Sequence, residues 1–332
     1  MAGSDLWSYC CFGNRYLLGY ADPFSANAMG DKMMPTFLIV GAAKAGTTTL
    51  YKALKAHHDV FMSPMKEPHF FSFVDSPPTF TGPHDKAVNT TEVISSRAAY
   101  ERLFDGSEDA RAVGEASNSY LFFPDAAFQI KKTIPECKII IMLRDPVERT
   151  FSHYRQAYAL GHETLGFNEA LQMEKERKRL GWRWHYQYRD QSFYADSVKR
   201  FYDLFGKGNV LIVRFKELHN LSNLMVKVYD FLGVDSSFSG FDQNAKNVTT
   251  LPKNRLLQRW MREGSLMRQL AHCLLPATLR KSLFEGVASL NKGKRFNVEM
   301  GDDLRSELKN CFSDDIERLS LLTNKDFSDW VN

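Results

Sequence analysis

The chain has 332 residues, 44% of them hydrophobic and 25% charged, with a formal net charge of +4. This is ordinary globular composition, which excludes a disordered or low-complexity chain. The mild basicity suits an anionic ligand and is too small for the basic stripe of a nucleic-acid binder. The cysteines (Cys10, Cys11, Cys137, Cys273 and Cys311) are odd in number and match no metal spacing, no apolar run reaches the ~18 residues of a membrane span, and no secretory signal opens the chain. The expectation is a cytoplasmic protein in a reducing compartment.

Residues 1–34 mix aromatics with Gly, Asn, Asp and Ser and show no period, which reads as an irregular leader before one domain spanning 35–332. Phe37 to Val40 are β-formers apolar on both faces, as in a buried strand of a parallel sheet. Gly41 breaks that run, a small-residue turn with Lys44 and Gly46 follows, and a helical pattern starts at Thr47. Strand, turn and helix N-terminus together make an anion site, because free amides and the positive helix end converge on one spot. Lys44 adds a charge, and Thr47, Thr48 and Thr49 add hydroxyls. The usual triphosphate-binding loop has its Lys directly after the last Gly, where this chain has Thr47.

His58 to Met62 reads as a second strand, followed by Lys66-Glu67-Pro68-His69 on a loop, since flanking prolines disfavour helix. In an open parallel sheet a loop after a strand lies at the ligand-binding edge. Residues 75–92 read as a surface loop and 97–104 as a short helix. A third strand starts at Ala112 and runs into a polar turn through Ser117, Asn118 and Tyr120. The pattern then gives a helix from Asp125 to Ile134 and a buried strand from Lys138 to Leu143. A new helix begins at Asp145-Pro146, with Glu148 three residues after the cap. Charged helical sequence fills 163–205 around an aromatic cluster that includes Trp184 and Tyr188, a strand covers 210–215, and a helix covers 224–232. Residues 253–290 read as helical, 291–295 as a basic turn, and 302–312 and 314–322 as two closing helices. Strands alternating with helices give an α/β fold, a three-layer sandwich around a mostly parallel central sheet with a phosphate-binding loop.

These motifs, in this order, resemble the sulfotransferases that use 3'-phosphoadenosine 5'-phosphosulfate (PAPS), in particular the heparan-sulfate and soluble bacterial-type members, from about Pro35 to Trp330. Lys44-Ala45-Gly46-Thr47-Thr48-Thr49-Leu50 is similar to the family's 5'-phosphosulfate loop, and Leu143 to Tyr154, with Arg144 and Ser152, to its 3'-phosphate motif. Lys66 to Phe71 resembles the segment carrying the catalytic carboxylate, and Lys292-Gly293-Lys294-Arg295 the late basic loop over the nucleotide. The resemblance implies sulfuryl transfer from PAPS to a hydroxyl or amine of a carbohydrate or small-molecule acceptor, without a metal. Lys44 would offset charge on the leaving phosphate, the amides of Ala45 to Thr48 would cradle it, and Glu67 would be the general base. His69 is the alternative base. Lys66, Glu67, His69, Ser117, Asn118, Tyr120, Trp184 and Tyr188 are expected to face the acceptor. Two other readings stand beside this one, a phosphate-loop kinase of small molecules and a non-catalytic nucleotide-binding protein. The acceptor and the oligomeric state stay open.

Overall fold

The structure, a computed structural model, describes residues 33–86, 88–242, 250–252, 292–295 and 299–331. A five-stranded sheet organises them, in the order β2-β3-β1-β4-β5. Its strands are β1 (Phe37–Gly41), β2 (Val60–Met62), β3 (Ala112–Ala116), β4 (Lys138–Leu143) and β5 (Val210–Arg214). Every pairing is parallel, with Leu38 opposite Glu115 on one side of β1 and opposite Ile139 on the other. β1, β3 and nearly all of β4 are buried along their length, as strands covered on both faces must be. The helices are α1 (Thr47–Lys55), α2 (Arg97–Glu101), α3 (Ser119–Phe122), α4 (Pro124–Thr133), α5 (Pro146–Ala159), α6 (Phe167–Gln172), α7 (Glu174–Arg179), α8 (Ala195–Phe205), α9 (Leu221–Leu232) and α10 (Asp302–Thr323). None of them is long and apolar enough to cross a membrane.

β1 sits in the middle of the sheet, with later strands added on both sides of it. The chain therefore reverses direction across the sheet around β1, and the carboxyl ends of the strands there open into a crevice. The loops that leave these ends carry Lys44, Glu67, Asn118, Arg144 and Phe215.

The elements differ from expectation in four places. β3 stops at Ala116, and the polar turn coils into α3, because Ser117 and Ser119 are held by hydrogen bonds to His69. Residues 88–92 in the expected surface loop form a helical turn. The two expected closing helices are one, since Leu308, Phe312, Ile316 and Leu319 keep a single buried stripe across Ser313. Lys292–Arg295 is not a turn but a strand, β7, paired antiparallel with β6 (Thr250–Pro252). The expected leader, apart from its last two residues, and the expected 253–290 helix lie outside the described residues.

Candidate active site

The anion loop is built by local backbone geometry. Lys44 and Gly46 both take positive φ, 68° and 92°, so the chain turns sharply between β1 and α1. A side chain at Gly46 would also strike Leu218, whose Cδ1 would lie 2.3 Å from the added carbon. Ala45 is fully buried, and its amide is spent inside the turn on the Ala42 carbonyl at 3.2 Å, so it does not join the expected cradle. Gly46, Thr47 and Thr48 remain at the start of α1, where a helix has no acceptors of its own for its amides.

Two guanidinium groups from the β4–α5 junction brace this loop. Asp145 caps α5 by accepting from the amides of Val147 and Glu148, at 2.8 and 3.2 Å. Arg144 then donates to the Lys44 carbonyl at 3.3 Å and stacks over Phe215. Arg149, fully buried, donates from Nε to the Ala43 carbonyl at 3.0 Å and from Nη1 to the Tyr188 carbonyl at 2.7 Å. Burial together with these two cations lowers Lys44 to about 8.

Glu67 stands on the loop after β2, its amide held by the Ala116 carbonyl at 2.9 Å and its φ at 65°. Burial alone would raise its carboxyl. Lys66, which pairs with it directly, and Lys44 beyond it outweigh burial and hold it below the usual carboxylate range. His69 is buried and pushed down to about 4, chiefly by desolvation, with Nδ1 2.8 Å from Ser119 Oγ and Nε2 4.0 Å from Glu67. It is neutral at pH 7 and committed to Ser119.

Lys44, Gly46, Thr47, Thr48, Thr49, Glu67, Asn118, Arg144 and Ser152 line one cleft of about 640 Å³. Other expected acceptor contacts are placed elsewhere. Lys66 reaches the cleft only through Glu67. Ser117 is buried between the His69 amide and the carboxyl of Glu115. Tyr120 is buried against Phe71. Trp184 is buried among Phe73, Phe80 and Phe123, and Tyr188 donates to Glu163 at 2.9 Å. The side chains of Lys292 to Arg295 lie outside the description. The cleft wall includes Glu92, His153, Gln156, Arg183, His185 and Tyr186, which the sequence does not single out individually. Ser152 gave a signal for one of them, since Gln156 follows it four residues later on the same face of α5. Among the described residues, His57, His58 and Asp59 bring three ligand-type atoms within 4.8 Å of one another, but none of them lines the cleft. His57 has both nitrogens in hydrogen bonds, to the Asp235 carbonyl and from the Asp59 amide.

A family model described as "Sulfotransferase family" matches residues 35–238. The chain belongs to the sulfotransferase family. Carbohydrate sulfotransferase 15 of Mus musculus is 32% identical over 155 residues, covering 37% of this chain and 27% of that protein. Heparan sulfate glucosamine 3-O-sulfotransferase 3B1 of Homo sapiens is 31% identical over 127 residues, covering 38% of this chain and 28% of that protein. The match thus spans little more than a quarter of the length of these curated relatives. The crystal structure of a sulfotransferase from Alicyclobacillus acidocaldarius is similar over far more, at 35% identity and a TM-score of 0.71, covering 90% of this chain and 100% of that one. The family match begins at the approach to β1 and runs through the anion loop, Glu67 and the β4–α5 junction.

Proposed function

We propose that the protein transfers a sulfuryl group from PAPS to a hydroxyl or amine of a carbohydrate or small-molecule acceptor. The observation that carries this reading is that Lys44 and Glu67, from the ends of two different strands, line one cleft beside a helix N-terminus. The donor set suits a nucleotide with two separate anionic groups. Lys44, the first amides of α1 and the hydroxyls of Thr47 to Thr49 form one grip, and Arg144 and Ser152 form a second. When bound, PAPS supplies the sulfuryl group and its 5'-phosphate as leaving group.

The chain's own residues then have three tasks. Lys44 places its ammonium where charge grows on the departing phosphate, a contribution that counts for most in the transition state. Glu67, ionised at neutral pH, takes the proton from the acceptor as it attacks. Lys66, by its ion pair, keeps that carboxylate charged and turned toward the cleft. His69 fits the role of base less well, because its Nδ1 is committed to Ser119 and its Nε2 is turned to Glu67.

Thermal unfolding with adenosine 3',5'-bisphosphate and, separately, with ATP and Mg²⁺ tests the reading. A ligand at 100 times its Kd stabilises the native state by about 2.7 kcal/mol. Only the bisphosphate is expected to raise Tm by several degrees. Stabilisation by ATP–Mg²⁺ alone would place the protein with the kinases.

A further inference from the structure

The two ends of the cleft differ in charge. Lys44, Arg144 and the start of α1 occupy one end. Arg183 gathers Glu92, His162, His185 and Tyr186 around it as the other end of the lining. Among the described residues Arg183 is the one guanidinium at that end; it is ion-paired with two carboxylates and donates to one imidazole, although its Nε makes no hydrogen bond. Its Nε lies 3.1 Å from Asp85, its Nη2 donates to His162 Nδ1 at 3.0 Å, and its Nη1 lies 3.9 Å from Glu92. The side chains of Arg183 and Asp85 are only 5% and 1% exposed, and drawing the cation toward a ligand would leave a buried carboxylate without its partner.

The imidazoles add no positive charge. A guanidinium only donates, so a ring nitrogen that faces one must offer a lone pair. His162 Nδ1 receives from Arg183 in this way, and His153 Nδ1 receives from Arg149 Nη2 at 3.1 Å. Both rings are therefore neutral, with the proton on Nε2. His185, desolvated and facing Arg183, is held well below the ordinary histidine range and is neutral too. The carboxylates remain, Glu67 at the reacting centre and Glu92 at the rim, the latter 59% exposed.

We infer that this end of the cleft seats an uncharged, hydroxyl-bearing acceptor, such as a neutral glycoside, and that Glu92 repels acceptors carrying a carboxylate or sulfate. The inference rests on the PAPS-dependent reading and narrows its acceptor. An uncharged polyol finds neutral donors, amide and hydroxyl partners and an aromatic edge, all of which bind without charge compensation. An anionic acceptor meets two carboxylates and, among the described residues, no cation at this end of the cleft that is not already ion-paired.

The test incubates the full-length protein with ³⁵S-labelled PAPS and a metabolite extract separated by anion exchange. Label is expected in acceptors of the unbound fraction. Label only in the salt-eluted fraction, or in neither fraction while adenosine 3',5'-bisphosphate still stabilises the protein, overturns the inference. Failure of that nucleotide to stabilise the protein would instead overturn the underlying reading. The labelled neutral acceptor and a carboxylated derivative of it then address Glu92. Glu92→Lys is expected to raise the ratio of kcat/KM for the derivative over that for the neutral acceptor about tenfold, and Glu92→Gln to raise it by a smaller factor. A ratio unchanged in both variants removes Glu92 from acceptor choice.

Discussion

The loops after β1 and β2 share a backbone device and have opposite electrostatics. Lys44 and Glu67 both sit at left-handed φ, 68° and 65°, so each strand end turns abruptly and directs a long side chain into the same cleft. Burial together with Arg144 and Arg149 lowers Lys44 to about 8, whereas Lys66 and, beyond it, Lys44 hold Glu67 ionised against burial. One cationic environment thus acts in two ways. It makes the lysine a group that gains strongly from a new negative charge nearby, and it keeps the carboxylate deprotonated and ready to accept a proton. The charged form of the loop lysine is thus not stabilised by the protein alone; its ordinary affinity for a proton returns when an anion arrives.

Removing the anionic member of the pair is expected to cost most. Glu67→Gln keeps the shape and should lower kcat by about 10²–10⁴, the usual worth of a positioned base, while binding adenosine 3',5'-bisphosphate as before. If turnover survives in Glu67→Gln and is lost in His69→Gln, the base is His69. Removing the cationic member follows. Lys44→Ala is expected to lower kcat by about 10²–10³, the range found for a lost charge-stabilising donor. In the wild type, kcat/KM for PAPS reports the free enzyme and should fall as pH rises through about 8, since Lys44 is protonated below that value and neutral above it. Lys44→Arg should move that limb to higher pH. A limb that stays near 8 in Lys44→Arg would assign it to another group.

Smaller effects are expected where contacts bind without entering the reaction. Arg144→Ala should raise KM for PAPS by about tenfold or more, as for a charged hydrogen bond, and Ser152→Ala by a few-fold, each keeping kcat at saturation. Loss of kcat with unchanged KM would break the division between gripping and reacting groups. The smallest effect concerns Glu115, buried on β3 and raised to about 7 by desolvation, in spite of hydrogen bonds from Tyr100 and Ser117. A carboxyl raised on folding contributes stability that is fully present below its unfolded value, near 4.5, and is lost as pH rises through about 7. Glu115→Gln lacks that loss. Its Tm relative to wild type should therefore climb by a few degrees between pH 5 and pH 8, and a flat difference would show that this carboxyl does not titrate there.

The sheet and its anion loop were legible because they rest on local signals: apolar runs for β1 and β4, small residues before α1, and Asp145-Pro146 before α5. The long-range ties of the cleft were not, because they join residues far apart in the sequence. Arg183 meets Asp85 across 98 residues, and Arg149 meets Ala43 across 106. Neither contact leaves a periodic trace. The aromatic cluster at 182–188 shows how composition misleads. Trp184 and Tyr188 are the large residues and turn inward, while the less conspicuous His185 between them, with Tyr186, reaches the cleft. Ser117 illustrates a second limit. A polar residue at a strand end suggests ligand contact, but here its hydroxyl is used to hold the His69 amide.

The two guanidinium ties from the β4–α5 junction to the β1 loop make that half of the cleft a gauge of fixed span. Arg144 holds the Lys44 carbonyl and Arg149 the Ala43 carbonyl, so the grip at α1 and the grip at α5 cannot slide apart independently. For a nucleotide bearing anions at two positions, the second grip then engages as an intramolecular event, with the gain that linkage gives when the spacing matches and none when it does not. Adenosine 2',5'-bisphosphate has the same charge and the wrong separation. On the proposed reading it is measured by this gauge and rejected by distance.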